Sequence, residues 1–308
     1  MGAPQAVPID RQHVFDTPTA PEHSPYRGFV AGVFSGATKL TVGHPFDTIK
    51  VRMQTSTSAK FKGPLDCLTT TVGKEGLRGL YKGATPPLVG WMFMDSIMLG
   101  SLANYRAAIK SKFYPNHDTL PSFGHGMAGI LSGWTVSLIA APVEHVKARL
   151  QTQYNAKGSK AGVKYSGPID CTRKLLSNHG IQGLYHGLGA TMIGRTFFFF
   201  MWTSYDIMTR QLEQRTNMSP MLVNFWAGGL SANVYWLLCY PSDVIKQRIM
   251  TDSLENRKFK NWREAAVAVG RQSGVRGYYR GFLPCIMRAF PANAAALVAF
   301  EGVMRHLP

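Results

Sequence analysis

Pro45-Phe-Asp47-Thr-Ile-Lys50-Val-Arg52-Met-Gln54 decides the fold, because it occurs three times. It returns as Pro142-Val-Glu144-His-Val-Lys147-Ala-Arg149-Leu-Gln151 and as Pro241-Ser-Asp243-Val-Ile-Lys246-Gln-Arg248-Ile-Met250, with the prolines 97 and 99 residues apart. A second element follows each copy: Gly76-Leu-Arg-Gly-Leu-Tyr81-Lys82-Gly83, then Gly180-Ile-Gln-Gly-Leu-Tyr185-His186-Gly187, then Gly274-Val-Arg-Gly-Tyr-Tyr279-Arg280-Gly281. Small residues stand 13 and 9 positions before each proline, as Gly32 and Gly36, Gly129 and Gly133, Gly228 and Ala232. Three elements repeating together at a period near 100 residues define three copies of one supersecondary unit.

Each unit reads as an apolar helix kinked by its proline, a polar loop, a short amphipathic helix, and a second apolar helix opening after the aromatic-basic-glycine triplet. The acid two residues past the proline and the lysine five residues past it fall near one helix face at the kink. Small residues four apart let helices approach closely where lipid supplies no hydrophobic drive. The pattern predicts long helices at about 28–54, 83–110, 122–151, 187–213, 220–249 and 281–306, with short ones at about 64–75, 168–178 and 261–273.

Charge and hydropathy place these helices in a membrane. The 308 residues carry 34 Lys and Arg against 17 Asp and Glu, a net +17, yet 45% are apolar. A basic disordered chain is excluded by that apolar share. A nucleic-acid surface would need clustered basic and aromatic residues on a soluble fold, whereas Thr216–Ser242 holds 27 residues without a charge and Gly126–Val143 has none either. Such runs approach the roughly 20 residues of a membrane span. Single ionisable groups in the other runs, Lys39, Asp95, Arg195 and Arg288, fit a water-filled path between helices and not lipid. Lys60, Lys62, Lys157, Lys160, Lys164, Lys258 and Lys260 put all three short-helix loops on one side of the membrane by the positive-inside tendency, and both termini on the other.

Residues 1–24, with several prolines and Asp10, Asp16 and Glu22, read as a flexible extension without the marks of a cleavable signal. The domain expected is a single one over 25–306, with repeats at about 25–115, 120–214 and 218–306. Cys67, Cys171, Cys239 and Cys285 form no CxxC pair, so neither zinc nor a disulfide framework is expected. Cys67 and Cys171 occupy equivalent repeat positions and read as packing residues. No nucleophile-base or metal constellation points to an enzyme.

The three Px[DE]xxKxR motifs resemble those of the mitochondrial carrier family (solute carrier family 25), over nearly the whole chain. The resemblance implies an all-α membrane protein: six transmembrane helices in three pseudo-threefold repeats around a central cavity, with short helices in the matrix. It implies a monomeric, multi-pass solute exchanger of the mitochondrial inner membrane, working by alternating access, with both termini facing the intermembrane space. Its partners would be a small-molecule substrate, a counter-substrate and membrane lipid, with no nucleic acid and no cofactor other than bound cardiolipin. A non-transporting or proton-leak membrane protein is the alternative of another class.

In the family, the acid of each motif pairs with the lysine of the next to close the matrix end. The implied pairs are Asp47 with Lys147, Glu144 with Lys246 and Asp243 with Lys50, braced by Gln54 and Gln151, while Met250 departs from the pattern. The cytoplasmic gate is less regular. Tyr205-Asp206 and Phe300-Glu301 keep the aromatic and the acid, but Thr209 and Met304 stand at the base positions, and Ala103 replaces the acid in the first repeat while Arg106 survives. A partial network, Arg106 with Glu301, is expected beside Asp206. Gly63, Gly83, Gly167, Gly187 and Gly281, in triplets that open helices, resemble the family's cardiolipin sites, where free amides and a base hold phosphate.

Substrate contacts in the family lie seven and eight positions past the triplet glycine, which here gives Trp91, Arg195 and Arg288. Asp95 shares a face with Trp91; Lys39, Thr196 and Asn293 complete the candidate set. Tyr205-Asp206 arrives one place early, so the fourth long helix is expected to carry a one-residue shift. The strings around Arg288 and His44 resemble the carnitine/acylcarnitine and basic amino-acid branch, but Arg195-Thr196 resembles the carboxylate exchangers. The excess of positive charge over Asp95 favours small organic anions such as di- or tricarboxylates. Carnitine/acylcarnitine or basic amino-acid exchange is the alternative, with Asp95 taking an ammonium and Trp91 or Trp134 offering an aromatic face.

Overall fold

In the computed structural model the described residues are 25–56, 61–153, 165–288, 291, 292, 295, 299 and 303, with the side chains of 25–29, 31–32, 85–93, 95–96 and 220–221 left aside. The extension at 1–24 lies outside them. Every regular element among them is helical. Long helices α1 (Pro25–Thr55), α4 (Ser122–Thr152) and α8 (Pro220–Thr251) each hold a proline inside, at Pro45, Pro142 and Pro241. Each is followed by a short helix: α2 (Pro64–Glu75), α5 (Pro168–Leu184) and α9 (Trp262–Tyr278). Then come α3 (Thr85–Phe113), the pair α6 (Leu188–Thr196) and α7 (Phe198–Arg215), and a last helical segment over 282–288. By length and composition α4 suits a membrane span, with a mean hydropathy of 1.5 in its most apolar window.

Local chemistry sets the short helices. Pro64 and Pro168 start α2 and α5 behind extended Gly63 and Gly167. The third copy lacks that glycine and adds a side-chain cap from Asn261 to a carboxylate–amide bond that all three copies make. The Glu264 amide donates to Asn261 Oδ1 at 2.9 Å, while Glu264 Oε2 accepts from the Lys260 amide at 2.8 Å. All three short helices break at the same repeat position, Gly76 (φ 69°), Gly180 (φ 62°) and Gly274 (φ 57°), a backbone state that only glycine enters cheaply. Each short helix docks on the end of its own long helix. Cys67 sits among Ile49, Met53, Phe61 and Leu80; Cys171 among Val146, Leu150, Tyr165 and Leu175; Ala265 beside Ile245 and Ile249. All four cysteines are buried and none is disulfide-bonded.

Two expectations change. The fourth long helix is not continuous: at Phe197 (φ −68°, ψ −7°) it breaks between α6 and α7, directly after Arg195 and Thr196. The small-residue seam, expected in every repeat, is tight only in the second among the described residues. A Cβ on Gly129 would lie 2.4 Å from Trp202, and one on Gly133 3.0 Å from Arg195 Cβ, whereas Gly36 has nothing within 4 Å and Gly228 only Tyr205 at 4.0 Å.

The repeats are joined in a closed cycle. Lys82 Nζ donates to Gln153 O at 3.1 Å, the His186 ring meets Ile249 O at 2.9 Å, and Arg280 Nη2 donates to Phe61 O at 3.0 Å. The base of each triplet thus reaches the backbone of the next repeat, first to second, second to third, third to first. The motif arginines repeat the sequence one layer away: Arg52 to Gln151 O, Arg149 to Asp252 O and Arg248 to Gln54 O, at 3.0, 2.8 and 3.1 Å. Gly83, Gly187 and Gly281 allow the approach, since a Cβ there would lie 3.0 Å from Lys147 O, 2.8 Å from Met250 and 3.0 Å from Lys50 O.

Candidate functional site

The kinks converge on a ring of charge. Lys147 Nζ lies 2.9 Å from Asp47 Oδ2, Lys246 Nζ 3.0 Å from Glu144 Oε2, and Lys50 Nζ 2.7 Å from Asp243 Oδ2. Every acid meets a lysine of another repeat, in one cyclic order. Lys246 also reaches Asp243 Oδ1 at 3.1 Å, and Lys50 lies 4.3 Å above the Trp236 ring. Gln54 Nε2 donates to Asp243 Oδ2 at 3.0 Å, whereas Gln151 Nε2 donates to Thr48 Oγ1 at 3.2 Å and meets no ring acid. Met250, at the third brace position, is wholly buried against Gly187.

Two arginines extend the ring. Arg195 Nη2 donates to Glu144 Oε1 at 2.8 Å, and Arg288 Nη1 lies 3.0 Å from Asp47 Oδ1. Both come from the helices that follow the triplets, α6 and 282–288, so candidate substrate contacts and ring acids form one network. Among the described side chains five cations then face three acids, and none of the eight is more than 26% exposed. Six ion-pair contacts hold the ring, and because a buried pair is costly to break mainly when one partner is left alone, a bound solute that supplies a replacement partner can outweigh them.

Thr196 does not join this network. Thr196 Oγ1 bonds back to Met192 O at 3.0 Å and accepts from Trp134 Nε1 at 3.3 Å, so it turns from the ring although its neighbour joins it. Lys39 is exposed on α1. Trp91 and Asp95 belong to α3, but their side chains are outside the described set, and Asn293 and Glu301 are outside the described residues altogether, so the expected Arg106–Glu301 pair falls there too. Asp206 is committed within its own repeat: Ser122 Oγ donates to it at 2.6 Å and Arg210 Nε at 2.9 Å, with His125 Nε2 at 3.5 Å. Arg210, one place past the base position, therefore still serves as the acid's partner at i+4. Arg106 lies over the Trp202 ring, 4.8 Å from its centroid. Gly63 and Gly167 border open space.

Glu75 escaped the sequence reading. It accepts from Arg52 Nη1 and Nη2 at 2.8 and 3.0 Å and from Lys82 Nζ at 2.6 Å, gathering the end of α1, the end of α2 and the first triplet. Burial opposes its ionisation, but the hydrogen bonds and charges of Arg52 and Lys82 prevail and hold its carboxyl below the ordinary carboxylate range. The equivalent residues are His179 and Ser273, so the repeat comparison that exposed the ring hid this acid.

The cyclic threefold joints, the ring at the three prolines and the arginines above it define a class, a helical bundle built from three tandem repeats around one charged centre. The family described as mitochondrial carrier protein matches residues 21–113, 118–216 and 217–308, and the chain belongs to this family of transporters. It is 40% identical over 287 residues to mitochondrial substrate carrier family protein L of Dictyostelium discoideum, covering 92% of this chain and 96% of that one. It is 33% identical to the glutamate/glycine mitochondrial carrier ymc1 of Schizosaccharomyces pombe, covering 91% and 94%, and 33% identical to the mitochondrial carnitine/acylcarnitine carrier protein of Mus musculus, covering 92% and 95%.

Proposed function

We propose that the protein is a solute exchanger of the mitochondrial inner membrane, working by alternating access on small organic anions such as di- or tricarboxylates. The observation that carries the substrate class is the ring's imbalance, five cations to three acids, with the two surplus charges on arginines, the side chain best shaped for carboxylates. In this reading six helices span the bilayer, the short helices lie in the matrix, both termini face the intermembrane space, and the lysine–acid ring closes the matrix end. Asp206 and Arg106 belong to the weaker cytoplasmic closure. Cardiolipin headgroups sit at Gly63 and Gly167, whose helices α2 and α5 begin beside open space, and at the triplets of Gly83, Gly187 and Gly281. The working unit is the monomer.

A second reading, exchange of carnitine or a basic amino acid, is favoured by the mouse carnitine carrier at 33% identity and by the His44 and Arg288 strings. Reconstituted liposomes separate the two. Uptake of radiolabelled citrate or malate against an internal partner is expected, and Arg195→Ala abolishes it; preferential exchange of carnitine or ornithine overturns the substrate choice. No exchange of any of the four points to a non-transporting or leak protein.

A further inference from the structure

Glu144 divides its two oxygens, giving Oε1 to Arg195 at 2.8 Å and Oε2 to Lys246 at 3.0 Å. Asp47 does the same, with Lys147 on Oδ2 at 2.9 Å and Arg288 Nη1 at 3.0 Å from Oδ1 and 3.2 Å from Oδ2. Asp243 differs. Its partners are Lys50, Lys246 and the Gln54 amide, with no arginine among the described residues. Three lysines already match three acids, so the arginines are surplus, and each has taken one acid that a lysine also holds.

We infer that Glu144 and Asp47 are the resident counter-ions of Arg195 and Arg288 in the empty carrier, and that a transported anion binds by taking their places, one carboxylate to each arginine. The inference rests on the anion-carrier reading proposed above. A guanidinium accepts a side-chain carboxylate and a solute carboxylate on the same terms, so the swap leaves each arginine paired throughout. The ring does not come out even. Of its six ion-pair contacts, the two arginine contacts pass to the solute and four remain. A solute with a single carboxylate can displace only one acid, so the arrangement selects for two anionic groups and couples their arrival to loosening of the ring.

The surroundings suit such a swap. A Cβ on Gly43 would lie 3.4 Å from Arg288 Cδ, and one on Gly133 3.0 Å from Arg195 Cβ. Both arginine stems thus rest against glycines of the kinked helices, and the Arg195 guanidinium lies 5.0 Å from the Phe198 ring. A fixed stem leaves the guanidinium alone to swing between acid and solute.

The test is equilibrium binding to the purified full-length protein, with acetate, malonate, succinate and glutarate compared at constant ionic strength. Glu144→Gln and Asp47→Asn each remove a competitor, and each is expected to tighten the best dicarboxylate about tenfold, the worth of one charge-assisted hydrogen bond, although transport falls because the ring is damaged. Acetate gains less, and Arg195→Gln erases both the gain from Glu144→Gln and the preference for two carboxylates. Asp243→Asn makes the same change of charge in the same ring without freeing an arginine, so its affinity stays near wild type. Equal tightening in Asp243→Asn, or none in Glu144→Gln and Asp47→Asn while both keep a cooperative thermal unfolding transition, overturns the inference. Failure of the anion reading itself looks different: the wild-type protein then binds none of the four acids but does bind carnitine or ornithine.

Discussion

Replacing Glu75 by glutamine strips the charge from the one acid that ties the first repeat together. Arg52 is 1% exposed and Glu75 4%, so water does not replace what is lost. Removing one partner of a buried ion pair costs about 3–5 kcal/mol. Glutamine keeps one carbonyl acceptor for the guanidinium, which places Glu75→Gln at the lower end, about 3 kcal/mol, and at roughly 2 °C per kcal/mol for a chain of this size the unfolding midpoint drops by about 6 °C. The assay is thermal unfolding of the purified protein in detergent, with Asp170→Asn as control. Asp170 also pairs with a lysine, Lys174 at 2.8 Å, but on the open face of α5, and its loss leaves the midpoint in place. Acid adds a second reading. Because the Glu75 carboxyl titrates below its ordinary value of 4.5, its contribution is complete above that pH and is lost as pH falls through the folded-state value, so the gap between wild type and Glu75→Gln closes below about pH 4.5. Equal midpoints for the two variants, or a gap that widens in acid, would refute the hub.

Gly133→Ala forces a methyl to within 3.0 Å of Arg195 Cβ and 3.1 Å of its carbonyl, so exchange is lost well beyond any loss of folded protein, while Gly228→Ala, with its nearest atom at 4.0 Å, exchanges as wild type; liposome uptake normalised to reconstituted protein checks both. Gly281→Ala meets both a positive φ of 85° and Lys50 O at 3.0 Å, and costs about 1–2 kcal/mol in thermal unfolding from the backbone alone. Met250→Leu, nearly conserving volume in a wholly buried site, costs under about 1.5 kcal/mol, whereas Met250→Asp leaves an unpaired charge in that site and abolishes folded protein on size-exclusion chromatography.

Three copies of one motif state the residues of the ring and its threefold character, while the order of its pairs is what the family resemblance implies. What repeats is legible; what breaks the repeat is not. Glu75 has a histidine and a serine as its counterparts, so its bonds to Arg52 and Lys82 left no periodic trace. The attachment of Arg195 and Arg288 to Glu144 and Asp47 was equally hidden, since it depends on side-chain reach across helices and not on spacing along one. Thr196 shows the converse. Adjacent to Arg195 in the same helix, it is carried away from the ring by the helix turn. The capping of α9 by Asn261 and Glu264 was present in the letters but lay outside the glycine pattern of the other two copies.

The closed cycle of joints has a consequence for biogenesis. The first two seams can form as soon as the neighbouring repeat exists, but the third ties Arg280 to Phe61, Arg248 to Gln54 and Arg288 to Asp47, across 219, 194 and 241 residues of chain. Gln54 O waits for α8, Phe61 O for the third triplet, and Asp47 for the segment that carries Arg288. The nascent protein is therefore an open arc until its third repeat is complete. A chain cut short before residue 280 keeps the Arg248 tie but loses two of the three that seal this seam.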